Sequence, residues 1–164
     1  NCSITAANIY HYYKDKDSLF QEISLDCLHE LNERILNRVQ NLSADKKKLQ
    51  TAAHTFRDWC FENPRRALLV IQGIKTSAAA GNEFRESYFV CNKAATEVLK
   101  ACVQSGSARS ANPQLDVDIL VSGLWGCVEA VFLKKCNKKY WDNGSAYMNR
   151  FIDLWINAIF GGTK

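Results

Sequence analysis

Proline is nearly missing from this chain. It occurs twice in 164 residues, at Pro64 and Pro113, and glycine occurs only eight times. A turn-rich β fold uses many more chain breakers, so this scarcity favours long uninterrupted helices. No stretch alternates polar and apolar residues, which removes the half-buried strand pattern as well. Common catalytic signatures are also missing. His11, His29 and His54 fall in different segments and make no H-x-x-x-H or H-E-x-x-H pair. The seven cysteines, Cys2, Cys27, Cys60, Cys91, Cys102, Cys127 and Cys136, never form C-x-x-C. They read as reduced, mostly buried thiols, and no spacing marks a reactive one. There is no phosphate-cradling Gly-rich loop and no nucleophile elbow. Nothing in the pattern points to an enzyme, a metal or a cofactor.

What is present is ordinary in bulk and specific in detail. Apolar residues make up 47% and charged residues 23%, as in a globular domain. The net charge of +4 permits contact with nucleic acid without arguing for it. The single methionine is Met148, so Asn1 does not read as a natural start and further residues are expected upstream. No signal peptide is visible, and the expected location is cytoplasmic.

The chain divides into helical stretches. From Asp15 to about Leu42, apolar Leu19, Ile23, Cys27, Leu31, Ile35, Val39 and Leu42 recur every three or four residues, one face of a long helix. Ser43 is placed to cap a second helix through Leu49, Ala52, Ala53, Phe56, Trp59 and Cys60. The run Lys46-Lys47-Lys48 at its start reads as a solvated turn. Pro64 stops that helix and fits the first turn of a short apolar one, Ala67 to Gly73. A small, polar stretch from Thr76 to Asn82 reads as a flexible loop. One helix is expected from about Glu83 to Gln104, with Phe84, Tyr88, Cys91, Ala95, Val98, Leu99 and Cys102 inward. Another is expected from Pro113 to Lys135. It is apolar nearly all round and needs cover on more than one side. It is short of the ~20 apolar residues of a membrane span and holds Asp118 and Glu129. Asn143-Gly144-Ser145 is a break, and a last helix runs from about Ala146 to Phe160. Its two apolar faces suggest packing on its own chain with one and on a partner with the other. The fold class expected is all-α.

The first twenty residues carry the densest pattern. Thr5 can cap a short helix, Ala6 and Ala7 leave its nose smooth, and Asn8, Tyr10 and His11 project from it. Such a helix suits insertion into a groove. The run Ser3-Ile4-Thr5-Ala6-Ala7-Asn8-Ile9-Tyr10-His11-Tyr12-Tyr13-Lys14-Asp15-Lys16-Asp17-Ser18-Leu19-Phe20 resembles the end of the helix-turn-helix of tetracycline-repressor (TetR) family regulators. Ser3 stands where that family usually has Gly, and Asp15 where it has Ser or Asn. The segment from Trp59 to Asn63-Pro64, followed by an apolar run, resembles a subset of the family's ligand domains more weakly.

The resemblance implies a division of labour. Residues 1–20 would be the C-terminal part of a DNA reader, and residues 21–164 a helical ligand-binding and dimerisation domain. Thr5, Ala6, Ala7, Asn8, Tyr10 and His11 would read operator DNA, with Tyr12 and Lys16 on the backbone. Asn8 can donate and accept on a base edge, and a small Ala can touch a thymine methyl. A small apolar or aromatic effector would sit among Phe56, Trp59, Tyr88, Phe89, Trp125 and Phe132, with Glu129 facing the pocket or a partner's polar group. The last two helices would pair a homodimer through Leu120, Gly123, Cys127, Val131, Phe151, Trp155 and Ile159, where Gly123, Gly126 and Ala130 allow close approach. The function implied is a ligand-controlled transcriptional regulator, in the family's usual role of repressor. The other reading is a helical small-molecule-binding or dimerisation protein with no DNA role.

Overall fold

The computed structural model describes residues 15–76 and 82–161, and among these every regular element is helical. The first helix, α1 (Lys16–Val39), starts where Asp15 accepts from the Ser18 amide at 2.7 Å. Asp17 in its first turn complements the positive end of the helix dipole. Cys27, Leu28, Leu31, Ile35 and Val39 form its buried stripe. Ile23, expected in that stripe, is 39% exposed. Ser24 takes the inward place, and its hydroxyl donates to the carbonyls of Phe20 at 2.7 Å and Leu69 at 3.0 Å. The helix ends at Val39, short of Leu42, whose amide turns back to the Val39 carbonyl at 3.0 Å. It runs unbroken through residues 20 and 21, where the two expected domains meet.

The second helix, α2 (Lys46–Glu62), is capped by Asp45 and not by Ser43: the Asp45 carboxylate accepts from the Lys48 amide at 3.1 Å. Asn63 closes it, and Pro64 opens α3 (Pro64–Thr76), which is longer than the apolar run foretold. Of the expected loop between Thr76 and Asn82, residues 77–81 lie outside the described part. The single helix expected from Glu83 to Gln104 is two, α4 (Asn82–Tyr88) and α5 (Val90–Gln104). Phe89 sits between them at φ −91° and ψ 0°.

The sixth helix, α6 (Pro113–Phe132), has Asn112 as its cap and proline in its first turn. It stops before Lys135 because Lys134 turns left-handed at φ 54°, and the Lys135 amide returns to the Ala130 carbonyl at 2.8 Å. A short 3-10 turn, Lys138–Tyr140, leads to α7 (Gly144–Phe160), which Asn143 caps through the Ala146 amide at 3.4 Å.

Packing centres on α1 against α2 and α3, and on α6 between α5 and α7, with α2 bridging to α7. Leu31, Trp59, Leu99, Val117, Val128, Met148 and Ile152 are buried at this centre. Each such side chain contributes about 1.5–3 kcal/mol on burial. Two polar ties fix the frame. Glu129 on α6 holds Lys75 of α3 at 3.0 Å and Lys135 at 2.6 Å. Trp155 Nε1 on α7 donates to the Asp116 carbonyl at 3.0 Å. Among the described residues, no helix is long and apolar enough to cross a membrane.

Candidate ligand-binding cavity

A cavity of about 330 Å³ opens between α1, α2, α5 and α6. The heptad-like apolar spacing of α1 turns Leu28, Leu31, Ile35 and Val39 toward it. From α2 come Leu49, Ala52, Ala53 and Phe56, and from α6 Leu120, Val121, Leu124 and Trp125. Tyr88 of α4 and Cys91, Asn92, Ala95 and Val98 of α5 close the remaining wall. Phe56 and Trp125 meet edge-to-face, their ring centroids 4.7 Å apart.

Asn32 and Asn92 on this wall are already engaged. Asn32 Nδ2 donates to the Ser87 carbonyl at 2.7 Å, and its Oδ1 accepts from the Cys91 thiol at 3.2 Å. His29 Nε2 and Ser87 Oγ lie 2.7 Å apart and add a second tie from α1 to α4. Asn92 Nδ2 donates to Asp118 Oδ1 at 3.1 Å, and Gln114 reaches the same oxygen at 3.1 Å. Burial pushes the Cys91 thiol up to about 11. Burial, and then the charge of Asp118, raises the Tyr88 phenol. Both therefore stay neutral near pH 7, and among the described residues no carboxylate lines the cavity.

Of the aromatic residues expected around a ligand, the fold brings Phe56, Tyr88 and Trp125 together here. Trp59 is fully buried elsewhere, its Nε1 donating to Glu30 Oε1 at 3.1 Å. Phe89 lies at the helix break against Tyr88, with centroids 5.2 Å apart. Phe132 packs on Phe61 with centroids 5.2 Å apart. Glu129 faces its two lysines, which hold its carboxyl below the usual range, Lys135 foremost. None of these four lines the cavity. Asn32, Asn92 and Lys48 do line it, and the sequence reading passed over them.

The residues expected at a dimer interface are mostly interior to the single chain. Leu120, Cys127, Val131, Trp155 and Ile159 are all buried within it. A Cβ on Gly123 would run into the half-buried Phe151 ring of the same chain. The apolar side chains that face outward on α6 and α7 are Leu115, Ile119 and Leu154. Thr5, Ala6, Ala7, Asn8, Tyr10, His11 and Tyr12 lie outside the described residues, while Lys16 is exposed on the first turn of α1. Cys27, Cys60, Cys91, Cys102, Cys127 and Cys136 are free thiols. Burial, and then Cys136, pushes Cys127 up to about 11, and burial alone raises Cys60 further. Among the described residues no cluster of His, Cys, Asp or Glu could hold a metal.

An all-helical body built around a long first helix, with an apolar cavity along that helix, is the class of protein this fold defines. The chain shares its fold with a bacterial regulatory protein in the tetR family from Rhodococcus RHA1, at a TM-score of 0.76 and 16% identity, over 95% of this chain and 80% of that one. It also matches a protein of unknown function from Rhodococcus sp. RHA1, at a TM-score of 0.71 and 9% identity, over 96% of this chain and 80% of that one. No protein-family model and no curated protein matches the chain. The all-α fold expected from the helical periodicity is the fold of the described residues.

Proposed function

We propose that the protein is a DNA-binding transcriptional regulator whose operator affinity is set by a small apolar effector in this cavity. The supporting observation is that one helix serves both ends. The N-terminus of α1 adjoins the recognition-type run Thr5 to Lys16, and its buried stripe forms a wall of the cavity. A ligand that favours one position of α1 would shift the population of DNA-competent heads by its differential affinity. The reading includes a homodimer. Burial of the interface residues first expected leaves Leu115, Ile119 and Leu154 as the outward apolar side chains on α6 and α7 that a partner would cover. It needs no catalysis, no cofactor and no membrane, and it places the protein in the cytoplasm.

The test is selection of bound duplexes from a random pool by the full-length gene product, followed by titration of the enriched sequence. Lys16→Ala should weaken binding across sequences and lower the salt slope by about one, as loss of one phosphate contact does. Asn8→Ala should instead relax sequence preference more than it lowers non-specific affinity. No enriched sequence would sink the DNA part of the reading, and an unchanged salt slope in Lys16→Ala would remove Lys16 from the phosphate contacts.

A further inference from the structure

We infer that the cavity's ligand is an amphipathic acid: one aliphatic chain inside, and an acidic head held at the mouth by Lys48. The inference rests on the proposed function only in taking the cavity for a binding site.

Shape comes first. The lining residues of α1 run from Leu28 to Gln40, which is about 18 Å at 1.5 Å per residue. A cavity of about 330 Å³ along that length, walled mainly by aliphatic and aromatic side chains, forms a slot that suits a flexible aliphatic chain.

Polarity gives the slot a direction. Its deep end, at Leu28, Phe56, Leu124 and Trp125, is buried and apolar. The amides of Asn32 and Asn92 at that end already donate, and among the described residues no buried side-chain nitrogen or oxygen lacks a partner. A ligand's polar group placed there would lose its water and find few groups to replace it beyond the Tyr88 phenol. The other end is marked by the exposed Leu36, Asn37, Gln40 and Ala94 and by the half-buried Lys48.

Charge then selects the head. Among the described residues Lys48 is the one charged residue on the lining, and no carboxylate joins it there. Its ammonium donates to the Leu42 carbonyl at 3.1 Å. It has three donors, so it can keep that bond and still meet an acid. The exposed Lys46 and Lys47 on the same helix start add positive potential around the mouth. The basic run that reads as a solvated turn in sequence becomes the rim of the slot. A cationic head would meet like charge there, and a neutral head would forgo the charge-assisted bond.

The experiment is calorimetric titration of the full-length protein with hexanoate, decanoate and hexadecanoate, and with decanol and decylammonium as head-group controls. Decanoate should bind tighter than decanol, and decylammonium weakest. Shortening the chain should cost roughly fourfold per methylene while the slot is being filled. Lys48→Gln should weaken decanoate roughly tenfold, as loss of a bond to a charged group does, and leave decanol within about twofold. Ala53→Trp should block every ligand, with folding checked by circular dichroism. No acid binding, decylammonium binding as tightly as decanoate, or decanoate indifferent to Lys48→Gln would each overturn the inference. Operator affinity is measured in parallel. Decanoate that binds in a Lys48-dependent way without altering operator affinity upholds the ligand class and removes effector control from the proposed function. A protein that binds its operator but no acid loses the ligand class alone.

Discussion

Trp59→Ala should lower stability by about 3–5 kcal/mol, the range for removing a large aromatic from a core that cannot collapse. Trp59 is 0% exposed, at the seam where α2 meets α1. Its Nε1 bond to Glu30 also links α2 to a carboxylate that pairs with Arg66 on α3, so three helices lose a common tie. At about 2–4 °C per kcal/mol for a domain near this size, the melting temperature should fall by roughly 6–20 °C. Trp59→Phe keeps most of the packing and leaves Glu30 half-exposed, able to take up water. It should cost about half as much or less. A melt of Trp59→Ala within a degree of the parent would show that the seam is not close-packed.

Gly73→Val should be nearly as damaging, for the opposite reason. A Cβ at Gly73 would lie 2.8 Å from Ser24 Cβ and 3.0 Å from the Phe84 ring. Ser24 Cβ is fixed to the backbone of α1, so the atoms cannot swing aside. The helices themselves must part, and overpacking of this kind costs about 1–3 kcal/mol or more. Separation would also break the Ser24 hydroxyl bond to Leu69 that pins α3 to α1. Gly73→Ala should show the same fault in smaller measure, and Ser24→Gly added to it should restore part of the loss. If the double variant melts no higher than Gly73→Ala alone, the clash is elsewhere.

These two sites show where the sequence could be read and where it could not. The stripes of α1 and α2, the stop at Pro64 and the start at Pro113 follow from periodicity and from proline's missing amide, and the fold has them. The choice of cap before α2 could not be read. Ser43 and Asp45 are both capping types two residues apart, and only the backbone path decides that Asp45 accepts from Lys48. The break at Phe89 is silent for a different reason. Phe84, Tyr88, Cys91 and Ala95 keep helical spacing across it, with no glycine or proline. Side chains from α1, Asn32 and His29, bond Ser87 where the helix ends. The cavity was half legible. Phe56 and Trp59 look alike in the pattern because they lie about 60° apart on nearly the same side of α2, and only the neighbouring helices decide that one faces the cavity and the other the seam with α1. Lys48 reads as a solvated position, and nothing in the pattern singles out Asn32 or Asn92, because their place on the lining depends on other helices.

The break at Phe89 has a dynamic consequence. It leaves α4 as a seven-residue helix, too short to hold its own amides against solvent. Its protection comes from Phe84, buried in the core, and from the bonds of His29 and Asn32 to Ser87 at its C-terminal end. Native-state hydrogen exchange should therefore find Asn82–Tyr88 opening as a unit of its own, well below the free energy that unfolds α1 or α6. Each such opening carries Tyr88 off the cavity wall and releases Asn32 from Ser87. A segment that opens so readily would carry part of the slot's wall with it, and a bound molecule that touches Tyr88 should slow its exchange.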